Sequence, residues 1–153
     1  MSEKSFKITF KAIELISKSI AEPPRDFQGV ETFSFNFLID LKVAPEQKTA
    51  FVITESGIIW AKEMKEVAKF RILCAFELPD FDSVFTKIDN NKYDTPVDLE
   101  IILKSAGLST IRGIIAMEVK GTYLQGAVLP LIDVNTLVRE QRKLAEQNKM
   151  KVG

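Results

Sequence analysis

Side chains able to do chemistry are few in this chain, and their spacing argues against a reaction centre. There is no histidine among the 153 residues, which removes the commonest general base and the commonest transition-metal ligand. Zinc sites of the Cys/His type go with it, as do Ser-His-Asp and Cys-His nucleophile systems. Cys74 is the only cysteine. Set among alternating apolar residues, it reads as a small core residue rather than a reactive thiol. The carboxylate pairs Asp80/Asp82 and Asp89/Asp94 fall in a polar stretch without the glycine-anchored spacing of a calcium loop, so they read as solvated. The glycines are scattered and form no phosphate-cradling loop. Arg112 stands in a polar seam of a largely apolar segment, where a structural contact and a ligand contact are both open. The expectation is a protein without catalytic residues, cofactor or metal.

Composition narrows the partners. Lys and Arg number 21, as do Asp and Glu, so whole-chain charge favours neither nucleic acid nor an anionic membrane. No run of Lys and Arg interleaved with aromatics suggests a nucleic-acid groove. The opening MSEKSFK lacks the apolar core of a signal peptide, and no stretch approaches the roughly 20 apolar residues of a membrane span. A lone cysteine excludes an internal disulfide and suits a reducing compartment, so the expected location is the cytoplasm. The whole chain, 1–153, reads as one domain, with 1–5 and about 148–153 expected to be disordered.

The segment from Thr95 to Val138 organises the rest. Thr95, Pro96 and Asp98 have the spacing of a capping box with proline at the first helical position, opening a helix to about Val119. At about 100° per residue, its apolar residues fall in two stripes. Leu99, Ile102, Leu103, Ala106, Ile114 and Met117 form one; Val97, Ile101, Leu108, Ile111, Ile115 and Val119 form the other. A surface helix of a monomer needs a single stripe. The second is therefore assigned to an oligomer interface, with ordinary packing under a loop or the last helix as the alternative. The connection Lys120 to Ile132 is unusually apolar (KGTYLQGAVLPLI), either a tucked-in core segment or an exposed binding surface. Asp133 caps a last helix whose narrow stripe is Val134, Leu137, Val138, Leu144 and Ala145.

Ahead of the long helix the period is two. Phe6, Ile8 and Phe10 begin a strand that continues towards Ile16, with a bulge expected near Ala12 and Ile13. Phe33, Phe35, Phe37, Ile39, Leu41 and Val43 occupy every second position, the clearest strand signal in the chain. Residues 49–60 and 70–78 read as two more strands. Their short connections favour an antiparallel meander, and residues 79–94 read as a long polar loop. Four strands followed by two helices define an α+β layer.

Three places then carry a resemblance: Ile72-Leu-Cys74-Ala-Phe76 in the fourth strand, Ile111-Arg112 in the long helix, and Leu129-Pro130-Leu-Ile132-Asp133-Val-Asn-Thr-Leu137 leading into the last helix. With the order of elements, these make the chain resemble SecB, the bacterial protein-export chaperone family, and its SecB-like relatives. The resemblance implies a four-stranded antiparallel sheet followed by a long helix, a connecting loop and a second helix. It also implies a homotetramer built as a dimer of dimers. Non-native polypeptides would be held without ATP in apolar grooves along the connecting loop and last helix, here Tyr123, Leu124, Val128, Leu129, Leu131, Val134, Leu137 and Val138. Some family members hand clients to a translocation motor through sheet carboxylates; the matching strand-four position here is Ala75, with Glu77 two residues on. Two other readings stand beside this one. The first is a small α+β module enclosing an apolar small molecule. The second is a SecB-like adaptor serving one partner, such as an antitoxin.

Overall fold

Alternation of apolar and polar residues builds a four-stranded antiparallel sheet, because successive side chains of a strand point to opposite faces. A computed structural model describes residues 6–29, 31–89 and 92–152. Its main strands are β1 (Thr9–Ile20), β2 (Phe33–Ala44), β3 (Thr49–Trp60) and β4 (Lys65–Glu77), arranged β1-β4-β3-β2. The sequence-predicted meander is the β2-β3-β4 run, and β1 joins its far side by pairing with β4. Register shifts in β1 fall between Phe10 and Ala12 and between Leu15 and Ser17, around the expected bulge.

The register sorts residues by face. Phe33, Phe35, Phe37, Ile39, Leu41 and Val43 of β2 lie opposite Trp60, Ile58, Ser56, Thr54, Val52 and Ala50 of β3. The same β3 face lies opposite Ala68, Phe70, Ile72, Cys74 and Phe76 of β4. This is the face that the helices cover. Its largest buried side chains are Trp60, Phe70, Phe76, Ile58 and Ile72, packed with Leu99, Leu103, Ile111 and Ile115 of the long helix. Cys74 is buried there, and burial raises its thiol pKa, as expected for a core residue.

The long helix is α2 (Val97–Glu118), and the last is α3 (Val134–Val152). α2 lies on β2, β3 and β4 and against α3. Gly107 lets it approach closely: a Cβ there would stand 2.8 Å from both Val52 Cγ1 and Thr54 Oγ1. The Thr54 hydroxyl beneath it is buried without a hydrogen-bond partner among the described residues, a cost set against that close fit.

Several expectations are corrected. Pro96, not Thr95, is the α2 N-cap, and no side chain caps the helix; the Thr95 carbonyl accepts from Arg142 Nη2 at 2.6 Å instead. Residues 79–94 are not an unstructured loop. They hold a short helix α1 (Phe81–Val84) and a hairpin of β5 (Thr86–Asp89) and β6 (Lys92–Asp94). Aromatic packing anchors the hairpin, with Phe81 stacked on Phe85 at 4.3 Å and meeting Tyr93 edge-on at 5.7 Å. α3 continues to Val152, past the expected fraying point. Its last turn carries Lys149 and Lys151, cations that suit the negative end of a helix. The disorder expected for 1–5 and at residue 153 lies outside the described residues.

The largest correction concerns the two stripes of α2. Leu108, Ile111, Ile115 and Val119, assigned to an oligomer interface, are 0–2% exposed within this one subunit. Val97 and Ile101 are half-buried against the same core. Leu108, Ile111, Ile115 and Val119 have almost no surface left to give a second copy, and Val97 and Ile101 only part of theirs. α3 and the connection cover that flank, the alternative that sequence reasoning left open. The other stripe is split: Leu99 and Leu103 are fully buried against the sheet, while Ile102 is half exposed and Met117 71% exposed.

Candidate functional site

The connection between α2 and α3, residues 119–133, is built from turns that alternately bury and expose its apolar side chains. The Val119 carbonyl accepts from the Thr122 amide at 3.0 Å and from the Thr122 hydroxyl at 2.6 Å. That hydroxyl accepts from the Leu124 amide in turn at 3.1 Å. A further turn follows, with the Ala127 amide donating to the Leu124 carbonyl. Gly121 and Gly126 have φ of +80° and +98°, backbone that residues with a Cβ adopt only with strain. Beyond Ala127 the chain runs in neither helix nor strand up to α3, and Arg112 holds it: Nε donates to Leu129 O and Nη2 to Pro130 O, each at 3.0 Å. Of the two roles open to Arg112, this is the structural one.

The consequence is a segment with two sides. Leu124, Ala127 and Leu129 point into the core, as do Val134 and Val138 at the start of α3. Val128 is 60% and Leu131 91% exposed. Tyr123 and Leu137 are half-buried. Of the eight residues assigned to a binding surface, Leu124, Leu129, Val134 and Val138 are therefore core. Tyr123, Val128, Leu131 and Leu137 remain accessible. Apolar residues kept in water on a braced segment are the informative observation, because a buried leucine needs no functional explanation.

Beside Tyr123 lies an aromatic cluster that sequence reasoning missed. The Tyr123 hydroxyl donates to Ala21 O at 2.8 Å, tying the connection to the β1–β2 loop. Its ring meets Phe27 edge-on, centroids 5.1 Å apart at 77°. Phe27 in turn lies 6.2 Å from Phe33 at the start of β2. Phe33 pairs with Trp60, whose indole N–H donates to Glu31 Oε2 at 2.8 Å. The Trp60 bond, and then the Gln28 amide, hold the Glu31 carboxyl below its ordinary range. Phe27 was legible only as a single apolar residue within a loop of prolines and charges.

α3 is fixed at both ends of its contact with α2. Asp133 caps it, accepting from the Thr136 amide at 3.2 Å and hydroxyl at 2.7 Å; these bonds lower the Asp133 pKa. Farther along, Glu100 of α2 accepts from Lys104 at 2.8 Å and from Arg142 of α3 at 2.6 Å. Burial works against the charge on Glu100, but the bonds and charges of Lys104 and Arg142 outweigh it and hold the carboxyl below its usual range.

A second apolar surface lies on the other side of α2. Phe10 and Ile13 of β1 pair with Phe76 and Cys74 and so share the helix-side face of the sheet. Both are about half exposed, as is Ile102 of α2. Lys18 of β1 and Glu118 of α2 close one end with an ion pair at 2.8 Å. β1 itself is a 12-residue edge strand.

Compared with known proteins, the chain matches no protein-family profile and no curated protein. Its structure is similar to that of a SecB-like chaperone from Mycobacterium tuberculosis, solved in complex with a peptide from an antitoxin. The TM-score is 0.51 at 14% sequence identity, over 83% of this chain and 86% of that one. At that identity the likeness establishes the fold: four antiparallel strands with helices on one face, SecB-like. Among the described residues no helix is long and apolar enough to cross a membrane.

Proposed function

We propose that the protein is a holding chaperone that binds non-native polypeptide, without ATP, along the connection between α2 and α3. The observation that carries this reading is the pair Val128 and Leu131, held out in water on a segment that Arg112 and the Leu124 and Leu129 anchors keep in place. A surface that must accept many sequences needs apolar contact without close shape selection, and flat aliphatic and aromatic side chains supply it. Each contact is worth on the order of 25 cal/mol per Å² of apolar area, less the ordering of the client. Many weak contacts then hold the client below its aggregating concentration. The structural neighbour's bound peptide supports polypeptide as the ligand class.

In this reading subunits associate through the β1 edge and the surface formed by Phe10, Ile13, Ile102 and Met117. An unpaired edge strand beside exposed apolar residues is a site that another chain covers. A dimer of dimers in the cytoplasm is the assembly proposed. A translocation motor would find no carboxylate at Ala75, which is 4% exposed, and only the exposed Glu77 nearby on β4, so such contact has little support. The antitoxin peptide on the neighbour favours one further reading, an adaptor that holds a single partner. The small-molecule module is not favoured, since bulky core side chains occupy the space between sheet and α2.

The test is light scattering from a chemically unfolded client diluted into buffer with and without the protein. Suppression near stoichiometric tetramer supports the proposal; undiminished aggregation at several-fold excess overturns it. Suppression of one partner's aggregation and not of unrelated clients would select the adaptor.

A further inference from the structure

The β1–β2 loop carries one apolar side chain that does not behave like a core residue. Residues 22–29 are Glu-Pro-Pro-Arg-Asp-Phe-Gln-Gly, and only Pro24 and Phe27 among them are even half-buried. The loop is tied at its ends. Ala21 donates to Val67 O and accepts from Tyr123, and the Gln28 amide donates to Glu31 Oε1 at 3.1 Å. Between these ties, the backbone bond of Phe27 stays within the loop, from its amide to Pro24 O at 3.0 Å. What presses this stretch onto the body is the Phe27 ring, set between Tyr123 and Phe33. Gly29 follows with φ of +87°, and no described atom lies within 4 Å of where a side chain would begin, so the loop is not packed against the body at that point, and its backbone there is one that glycine adopts without strain.

The slot that Phe27 fills lies next to the surface proposed for clients, since Tyr123 belongs to both. Its walls are aromatic faces and edges, and its occupant is a phenyl ring held edge-on, the geometry aromatic pairs prefer. The geometry points to Phe27 as an internal plug: it occupies a subsite for an aromatic side chain of the client and is displaced when such a side chain arrives. This inference rests on the chaperone reading for its biological meaning, but the slot and its plug are properties of the fold. The plug keeps the aromatic walls covered while no client is bound. A ligand that needs the open form binds with its affinity reduced by the open fraction. A plug seated about nine-tenths of the time costs an incoming aromatic about tenfold in apparent affinity.

The experiment titrates N-acetyl-phenylalanine amide and N-acetyl-leucine amide into wild-type protein and into Phe27→Ala, following binding by NMR. Removal of the plug is expected to tighten the phenyl probe about tenfold and the leucyl probe about threefold or less. The added substitution Tyr123→Ala should abolish the gain. Equal or weaker binding of the phenyl probe by Phe27→Ala overturns the plug and makes Phe27 a fixed part of the structure. Circular dichroism checks the fold. If Phe27→Ala does not fold, Phe27→Leu keeps an apolar filler without the ring edge; it should tighten the phenyl probe about threefold, and an unchanged affinity overturns the plug. Both probes are single capped residues, so this result is separate from the holding reading. That reading alone fails if wild type and variant both leave client aggregation unchanged.

Discussion

Replacing Gly107 with alanine asks whether α2 is pressed against β3 as closely as the structure shows. In an exposed helix the change is favourable, because glycine costs about 0.8–1.0 kcal/mol relative to alanine. Here the new Cβ would stand 2.8 Å from Val52 Cγ1 and from Thr54 Oγ1, against about 3.5–4.0 Å for a comfortable carbon contact. Neither neighbour is the loose end of a flexible side chain, since both are β-branched and stiff at χ1. Retreat of the helix would unseat Leu103 and Ile111, both fully buried. Overpacking of this kind costs about 1–3 kcal/mol, and the stiff neighbours place it at about 2–3. Subtracting the propensity gain leaves a net loss of about 1–2 kcal/mol, or a fall in Tm of about 2–8 °C at 2–4 °C per kcal/mol. Urea unfolding at one fixed protein concentration measures it, because self-association alters apparent stability. In a double-mutant cycle, Val52→Ala should recover part of the loss, with coupling of about 1 kcal/mol. Stabilisation by Gly107→Ala, as in a solvated helix, would refute the close approach.

Three other outcomes follow from the same contacts. Because Glu100 titrates below its ordinary 4.5 in the folded state, its contribution to docking α3 is complete above about that pH and is lost as the pH falls through the folded value. Acid unfolding of Glu100→Gln should accordingly be less steep than that of wild type. At neutral pH this variant should lose about 2–3 kcal/mol, less than the ~3–5 of a fully buried pair because the Arg142 side chain is 33% exposed; a loss below about 0.5 in urea unfolding would count against the clamp. Leu131→Asp should leave stability within about 0.5 kcal/mol, as surface changes do, while weakening capture of an unfolded client severalfold in the scattering assay. Arg112→Met should free the carbonyls of Leu129 and Pro130, costing about 1–3 kcal/mol and speeding hydrogen exchange in residues 128–132; unchanged exchange would show that the connection is held by its apolar anchors alone.

The four long strands and the two long helices were legible because each follows one period. The run of alternate apolar residues from Phe33 to Val43 could be nothing but a half-buried strand, and the helix from Val97 was clear from its spacing. What period could not show was which of two apolar stripes the rest of the subunit would cover. That choice was made by contacts far apart in sequence, Arg112 with Leu129 and Glu100 with Arg142, which place α3 and the connection on the Leu108–Ile115 side. Inward and outward residues of the connection were hidden for a related reason: turns, not a repeating period, decide that Leu129 is buried and Leu131 exposed. The β5–β6 hairpin was lost because its strands are short and polar. Phe27 gave no pattern at all, and only the packed structure brings it to Tyr123.

The most direct test of the account is hydrogen exchange of the protein with and without a saturating unfolded polypeptide, read peptide by peptide. Slowed exchange is expected in residues 122–133 and at the start of β2, with β4 and the middle of α2 unchanged. Protection confined to other surfaces, or none while the polypeptide is bound, would contradict it.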